Sequence, residues 1–159
     1  MGPATAVKAS ATKPAKSEFL PFYERYINLV PDGDVISTLA SQMIETQSLL
    51  CALPASVATY RYAPDKWSVN EIVGHMIDSE RIFADRALRF ARNDATPIPV
   101  FEQDDYLRGA TFDAYPLAYR PSRLNLVRQS TIFLFWHRCD EPWTRHYVVS
   151  HTQPHSGAR

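Results

Sequence analysis

The fold is decided by the stretch WSVNEIVGHMIDSERIFADRALRF, residues 67–90. Ser68 and Glu71 have the spacing of a capping box, in which each side chain accepts a hydrogen bond from the other residue's backbone amide. Apolar residues then recur three and four positions apart, which is the period of an amphipathic helix. The pattern fades at Asn93-Asp94, so we predict a helix roughly 35 Å long at about 1.5 Å per residue.

Two further helices are expected on either side of this one. Asp34 can cap a helix whose apolar residues recur at helical spacing until Pro54 ends the run. Ser122 is expected to cap a third helix that ends near residue 140. The proline-rich connection 94–121 is long for a compact domain, so it should contain short helical turns or a site. With few strand signals, the chain is predicted to be an all-α protein with bundle geometry.

Length and composition indicate a single soluble domain. The chain has 159 residues, 45% of them apolar and 12% aromatic, which is enough for a hydrophobic core. Its 17 basic and 17 acidic residues cancel, which argues against binding to a nucleic-acid backbone. No apolar run is long enough to cross a membrane and no signal peptide follows the start, so we expect a cytoplasmic protein without membrane contact.

The apolar pattern also predicts how the chain is divided. Residues 1–17 lack periodicity and are rich in small and polar types, which is typical of a disordered tail. The helical domain should span residues 18–145, and residues 146–159 should form an irregular C-terminal tail. Cys51 and Cys139 lie far apart and form no CxxC motif, so neither a disulfide framework nor a cysteine zinc site is indicated.

His75 is the residue that could carry chemistry. The predicted buried stripe of its helix consists of Ile72, His75 or Met76, Ser79, Ile82 or Phe83, Arg86 and Phe90. His75 therefore lies on or beside the face that should point inward, with Ile72 and Ser79 one turn away in either direction. A neutral imidazole in a bundle interior is a natural metal ligand. The alternative is a partly buried structural histidine that is hydrogen-bonded to a neighbouring helix.

The other histidines have weaker contexts. His137 lies near the end of the third predicted helix, where a positive side chain suits the helix dipole, and His146 falls in a segment without a readable pattern. His151 and His155 have the H-x3-H spacing, which on a helix places two imidazoles on one face where both can bind the same ion. Pro154 stands between them and would disrupt such a helix, so a polar tail is the favoured interpretation.

The pattern of two clusters of charged residues indicates a structural role for each. Arg86, Arg89 and Arg92 recur at helical spacing with acidic residues nearby, which is typical of a solvated, salt-bridged face rather than a nucleic-acid groove. Asp104-Asp105 could form a pair of catalytic acids, but a loop turn or a helix cap is favoured because no further acid stands at a fixed spacing.

Several stretches together are similar to one family of bacterial proteins. They are FYERYI (22–27), LVPDGD (29–34), YAPDKWS (62–68), GHMIDSER (74–81) and RALR (86–89). Through them the chain resembles the DinB/YfiT-like (DinB_2) superfamily, over roughly residues 19–147. The resemblance implies an up-and-down four-helix bundle that holds nickel or zinc on three histidines, with His75 at the position of the first.

The resemblance also implies a range of functions. It suggests a metal-dependent thiol S-transferase or a hydrolase-like enzyme that acts on a small-molecule thiol or another small substrate. The alternative that we keep is a metal-free, stress-associated helical binding protein in which His75 is structural. No catalytic residue other than the metal ligand is suggested.

The chain departs from the family pattern in two places. Pro121 interrupts the expected opening of the third helix, and the chain ends before a fourth helix, as if truncated or frame-shifted near Val149. His151 and His155 fall where the family has the loop into that helix, so the resemblance does not extend the metal role to them. Because a fourth helix would bury several large apolar side chains, we expect impaired catalysis and either marginal stability or a homodimer.

Overall fold

The computed structural model describes residues 13–136. Its α-helices are α1 (Glu24–Ile27), α2 (Val35–Ala52), α3 (Val69–Ala91), α4 (Gln103–Arg108) and α5 (Arg120–Trp136). No strand occurs between residues 13 and 136, so the all-α helical architecture predicted from the sequence is confirmed for this range.

Several sequence predictions fall outside the described residues. These are the N-terminal tail up to residue 12, the end of the third helix, the C-terminal tail 146–159 and the expected lack of a fourth helix; His137, Cys139, His146, His151 and His155 lie outside as well. The described part of the predicted N-terminal tail reaches the 3-10 turn Lys16–Glu18, where Lys16 forms an ion pair with Glu24 at 2.8 Å.

Two predicted helix starts are confirmed in atomic detail. The carboxylate of Asp34 accepts hydrogen bonds from the backbone amides of Ile36 at 3.3 Å and Ser37 at 3.0 Å at the start of α2. At the start of α3 the Ser68 hydroxyl accepts from the Glu71 amide at 3.0 Å, and the Glu71 carboxylate accepts from the Ser68 amide at 2.6 Å. Both caps satisfy backbone donors that have no partner within the helix.

The start of α5 differs from the prediction. The helix begins at Arg120 rather than after a Ser122 cap, and Pro121 lies in its first turn. Proline is tolerated there because the first backbone amides of a helix have no intrahelical acceptor and its fixed φ suits the helix. The expectation that Pro121 interrupts the helix was therefore wrong.

The long connection between α3 and α5 contains short helical turns, as predicted. These are α4 and the 3-10 turns Phe112–Ala114 and Leu117–Tyr119. Asp104 and Asp105 lie in the first turn of α4. The connection is tied to α3 where the Arg86 guanidinium donates to the carbonyl oxygen of Pro99 at 3.0 Å.

The core forms where α5 packs against both α2 and α3. Leu50, Val73, Ile77 and Leu124 make its buried cluster, one or two residues from each helix. Fully burying a side chain of this size contributes about 1.5–3 kcal/mol, so this small cluster supplies much of the packing energy of the described bundle.

The buried side of α3 is displaced from the predicted stripe. Val73 and Ile77 are 2% and 1% exposed, whereas Ile72 is 42% and Phe83 57% exposed. Tertiary packing explains this difference, because α5 and the 3-10 turn Phe112–Ala114 contact the side of α3 that carries Val73 and Ile77. Ile72, His75 and Ser79 consequently flank the core instead of pointing into it.

Large apolar side chains remain exposed on the outer sides of the bundle. Leu126, Phe133 and Trp136 on α5 are each more than 60% exposed. Within the described part of the chain, no helix combines the length and the apolar character that a bilayer-spanning segment requires.

Candidate functional site

His75 lies half-buried in a row of aromatic side chains beside α3. The Trp67 ring meets the imidazole at a centroid distance of 4.9 Å and an angle of 61°, and the Phe101 ring lies at 6.1 Å and 11°. Tyr106 continues the row, with its ring 4.8 Å from that of Phe101 in an edge-to-face arrangement. We call Trp67, His75, Phe101 and Tyr106 the aromatic row. It brings together the segment before α3, α3 itself and the region of α4.

Trp67 is held in place by the capping network of α3. The neighbouring Ser68 donates its hydroxyl proton to Asp113 at 2.5 Å while accepting from the Glu71 amide. Arg61 bridges the same two acids, since its guanidinium donates to Glu71 and, at 2.9 Å, to Asp113. The loop that carries Trp67 is therefore fastened both to the helix start and to the turn that precedes α5.

The environment of His75 favours the neutral imidazole. Burial lowers the pKa of His75 below its ordinary value, against the charges of Asp78 and Asp104, which raise it. With a pKa below about 6.5, the ring is mostly neutral at pH 7. One ring nitrogen then carries a free lone pair that can accept a proton or bind a metal ion.

The hydroxyl of Ser79 does not select a tautomer of His75. Its Oγ is 3.4 Å from Nδ1 and 3.4 Å from Nε2. Both distances are long for a hydrogen bond that involves a hydroxyl, and neither ring nitrogen is preferred. Either nitrogen of His75 can therefore present its lone pair.

Two cavities adjoin members of the aromatic row. One of about 480 Å³ is lined by Trp67 together with charged residues of the 61–67 segment and of α4. The other, of about 270 Å³, lies between α3 and the segment 98–101, with Ile82, Ile98 and Phe101 in its walls. The larger volume falls in the range of small-molecule sites and the smaller just below it. Trp67 thus lines a charged cleft and Phe101 and Tyr106 line a mainly apolar one, while His75 lies in the wall of neither.

The described residues do not by themselves form a metal site. In residues 13–136 no three side chains of His, Cys, Asp or Glu come close enough to hold an ion, and His75 is the single histidine of that range. A zinc site needs three or four protein ligands. A ligand set of three that includes His75 would therefore need at least one ligand from outside this range.

The charged clusters agree only in part with their structural interpretations, because Asp104 and Asp105 lie inside α4 and do not cap it. Arg89 forms ion pairs with Asp85 at 2.9 Å and Asp94 at 3.8 Å, while Arg86 binds a loop carbonyl. Asp104 and Asp105 stand at the start of α4, and Asp105 pairs with Arg108. The sequence analysis missed Phe101 and Tyr106, because they come from a proline-rich segment that carries no periodic signal.

Comparison with known proteins agrees with this architecture. The DinB superfamily model matches residues 42–131, from the middle of α2 into α5. The chain belongs to the DinB superfamily. No curated protein and no solved structure gives a significant match to it. The matched range of this DinB-superfamily domain contains the whole aromatic row, including His75.

Proposed function

We propose that this DinB-superfamily chain carries a small-molecule site beside His75, and that His75 is a ligand of a divalent nickel or zinc ion there. The chemistry would be thiol S-transfer or a hydrolase-like reaction. The observation that carries the proposal is the half-buried imidazole with a lowered pKa, packed against Trp67 and Phe101, each of which lines a cavity. Buried, neutral histidines beside clefts are frequent at functional sites.

The residues of the chain have separate parts in this proposal. A bound ion would supply Lewis acidity or lower the pKa of a thiol or water. Trp67 and Phe101 pack beside the His75 ring, and burial of the ring favours its unprotonated form. At least one further ligand would come from outside residues 13–136, since no group of three candidate ligands forms within them.

Metal analysis tests this proposal on the full chain. We expect the purified protein to bind about one nickel or zinc ion per chain, the stoichiometry of a single metal site. The His75→Ala variant should not retain this ion. Ser79→Ala is the matched control, because it removes a group next to the ring but leaves the imidazole. An ion retained by His75→Ala, or no ion in any of the three proteins, would overturn the proposal.

A metal-free, stress-associated binding protein is the second candidate. It is favoured by the neighbours of His75, since the rings of Trp67 and Phe101 pack beside it and no group of three candidate metal ligands forms in residues 13–136. In that case His75→Phe should keep the row packed and leave the thermal stability almost unchanged. His75→Ala should lower the stability even in protein treated with a chelator.

A further inference from the structure

The charged cavity lies where the segment 61–67 faces α4. Its walls include Arg61, Lys66 and Trp67 on one side and Asp104 and Arg108 on the other. Its volume of about 480 Å³ suits a ligand of the size of an amino acid or a short peptide. We call it the charged cleft.

Two of its cations are already neutralised from outside the cleft. The Arg61 guanidinium donates to the carboxylates of Glu71 and Asp113, and Arg108 pairs with Asp105. None of these three acids lines the cleft. Neither arginine is therefore available as an unpaired charge for a ligand.

Three charges of the cleft remain without a salt bridge among the described residues. They are the ammonium group of Lys66 and the carboxylates of Asp65 and Asp104. Unpaired charges of both signs around one cavity are complementary to a ligand that carries both signs. The indole of Trp67 and the side chain of Leu107 add an apolar surface to the same cavity.

We propose that the charged cleft binds a small zwitterionic molecule of the amino-acid class, with an apolar side chain. Lys66 would contact its carboxylate, Asp65 and Asp104 its ammonium group, and Trp67 and Leu107 its side chain. The inference deepens the proposed function, on which it rests for the assumption that the bound molecule is the substrate. Binding itself needs no metal ion and no contribution from the imidazole of His75.

Three matched probes test the charge requirement on the full chain. L-leucine carries both charges, 4-methylpentanoate lacks the ammonium group and isopentylamine lacks the carboxylate. Titrations followed by calorimetry and by the indole N–H resonance of Trp67 should show leucine binding two- to fivefold more tightly than either analogue, the range expected for one exposed charge contact. Equal binding of all three, or no binding of leucine at about 20 mM, far above a millimolar Kd, would overturn the proposal.

Substitutions then assign the contacts. Lys66→Ala should weaken leucine and 4-methylpentanoate by roughly two- to fivefold but leave isopentylamine unchanged, and Asp104→Asn should do the reverse for the two analogues. Lys16→Ala and Asp32→Asn, which change the same charges outside the cleft, should bind leucine like the wild type. A loss that is the same for all probes would contradict the assigned contacts.

The outcome is separable from that of the metal experiment. Leucine should bind equally to chelator-treated wild type and to His75→Phe, because a ring at this position keeps the packing of Trp67, which lines the cleft. If the protein binds leucine but contains no metal, the proposed function alone is overturned. If the protein contains metal but does not bind leucine, the inference about the ligand is overturned.

Discussion

The ring of Phe112 lies against Gly74, on the buried side of α3, where a side chain would begin. A β-carbon at Gly74 would come within 2.5 Å of the ring carbon Cγ of Phe112. The ring has little room to retreat, because the Arg120 guanidinium lies 5.0 Å from its centre and donates to the Phe112 carbonyl oxygen. The close approach of the 3-10 turn Phe112–Ala114 to α3 thus requires glycine at this position.

We predict that Gly74→Ala destabilises the protein. Alanine improves helix propensity by about 1 kcal/mol relative to glycine, but overpacking of a close contact costs roughly 1–3 kcal/mol. The clash involves three atoms of a rigid ring, so the net change in the free energy of unfolding should be a loss. Chemical denaturation of the wild type and the variant measures it.

Gly109→Ala provides the control for that substitution. A β-carbon at Gly109, the residue that ends α4, would lie 3.6 Å from the carbonyl oxygen of Asp105, an ordinary contact. Its effect should stay within about 0.5 kcal/mol, as for most surface changes. A Gly74→Ala protein as stable as the wild type would show that the Phe112 ring can move aside.

Ser68→Ala should lower stability through the start of α3. The Ser68 side chain is completely buried, caps the helix and donates to Asp113. Loss of a cap costs about 1 kcal/mol, and leaving the Asp113 carboxylate without this donor adds to it, so we expect a loss of roughly 1–3 kcal/mol in thermal or chemical unfolding.

Ser122→Ala separates this capping effect from a general effect of serine removal. Ser122 is exposed inside the first turn of α5 and does not cap it. Its replacement should change stability by less than about 0.5 kcal/mol. A large loss for Ser122→Ala, or none for Ser68→Ala, would contradict the positions of the two helix starts.

Local signals explain which helices could be predicted from the sequence. At the starts of α2 and α3, side chains accept hydrogen bonds from amides two or three residues away. The residue types and their spacing in the sequence therefore indicate these helix starts. The start of α5 could not be found in this way. Arg120 begins that helix fully buried, held by Phe112 from the preceding turn, and no local pattern indicates that an arginine will be enclosed.

The candidate site was predictable only in part. The position of His75 beside a buried stripe followed from helical periodicity, but the side of α3 that is actually buried depends on where α5 and Phe112 pack. Phe101 and Tyr106 reach His75 through a proline-rich segment, so their place in the aromatic row is set by tertiary contacts alone.

Stability should depend on pH through His75. Burial lowers the pKa of His75 in the folded protein, so the unfolded chain binds more protons near its ordinary pKa of about 6.5. The stability that the neutral His75 ring contributes is therefore complete above about pH 6.5. It is lost progressively as the pH falls from there through the lowered pKa of the folded state.

The His75→Gln variant isolates that contribution. We expect the unfolding free energy of the wild type minus that of the variant to be larger at neutral than at mildly acidic pH, because other titrating groups cancel in the difference. Urea unfolding across this pH range provides the values. A difference that is constant or grows on acidification would mean that folding does not lower the pKa of His75.

Breaking the ion pair between Glu80 of α3 and Arg128 of α5 should cost more stability than breaking a surface pair. The two groups are 3.0 Å apart, with side chains only 12% and 19% exposed. Removing one partner of a buried pair strands the other charge and costs about 3–5 kcal/mol. Residual contact with water reduces this, so Arg128→Met should lose roughly 2–4 kcal/mol in chemical denaturation.

Two further variants distinguish a stranded charge from a lost attraction. The double variant Glu80→Leu with Arg128→Met removes both charges and should recover most of the stability, since apolar replacements of buried pairs are often neutral or better. Arg89→Ala breaks a pair with Asp85 that is more exposed and should cost about 1 kcal/mol or less. If the double variant is no more stable than Arg128→Met, the loss does not come from an unpaired Glu80, and the missing contacts of Arg128 account for it.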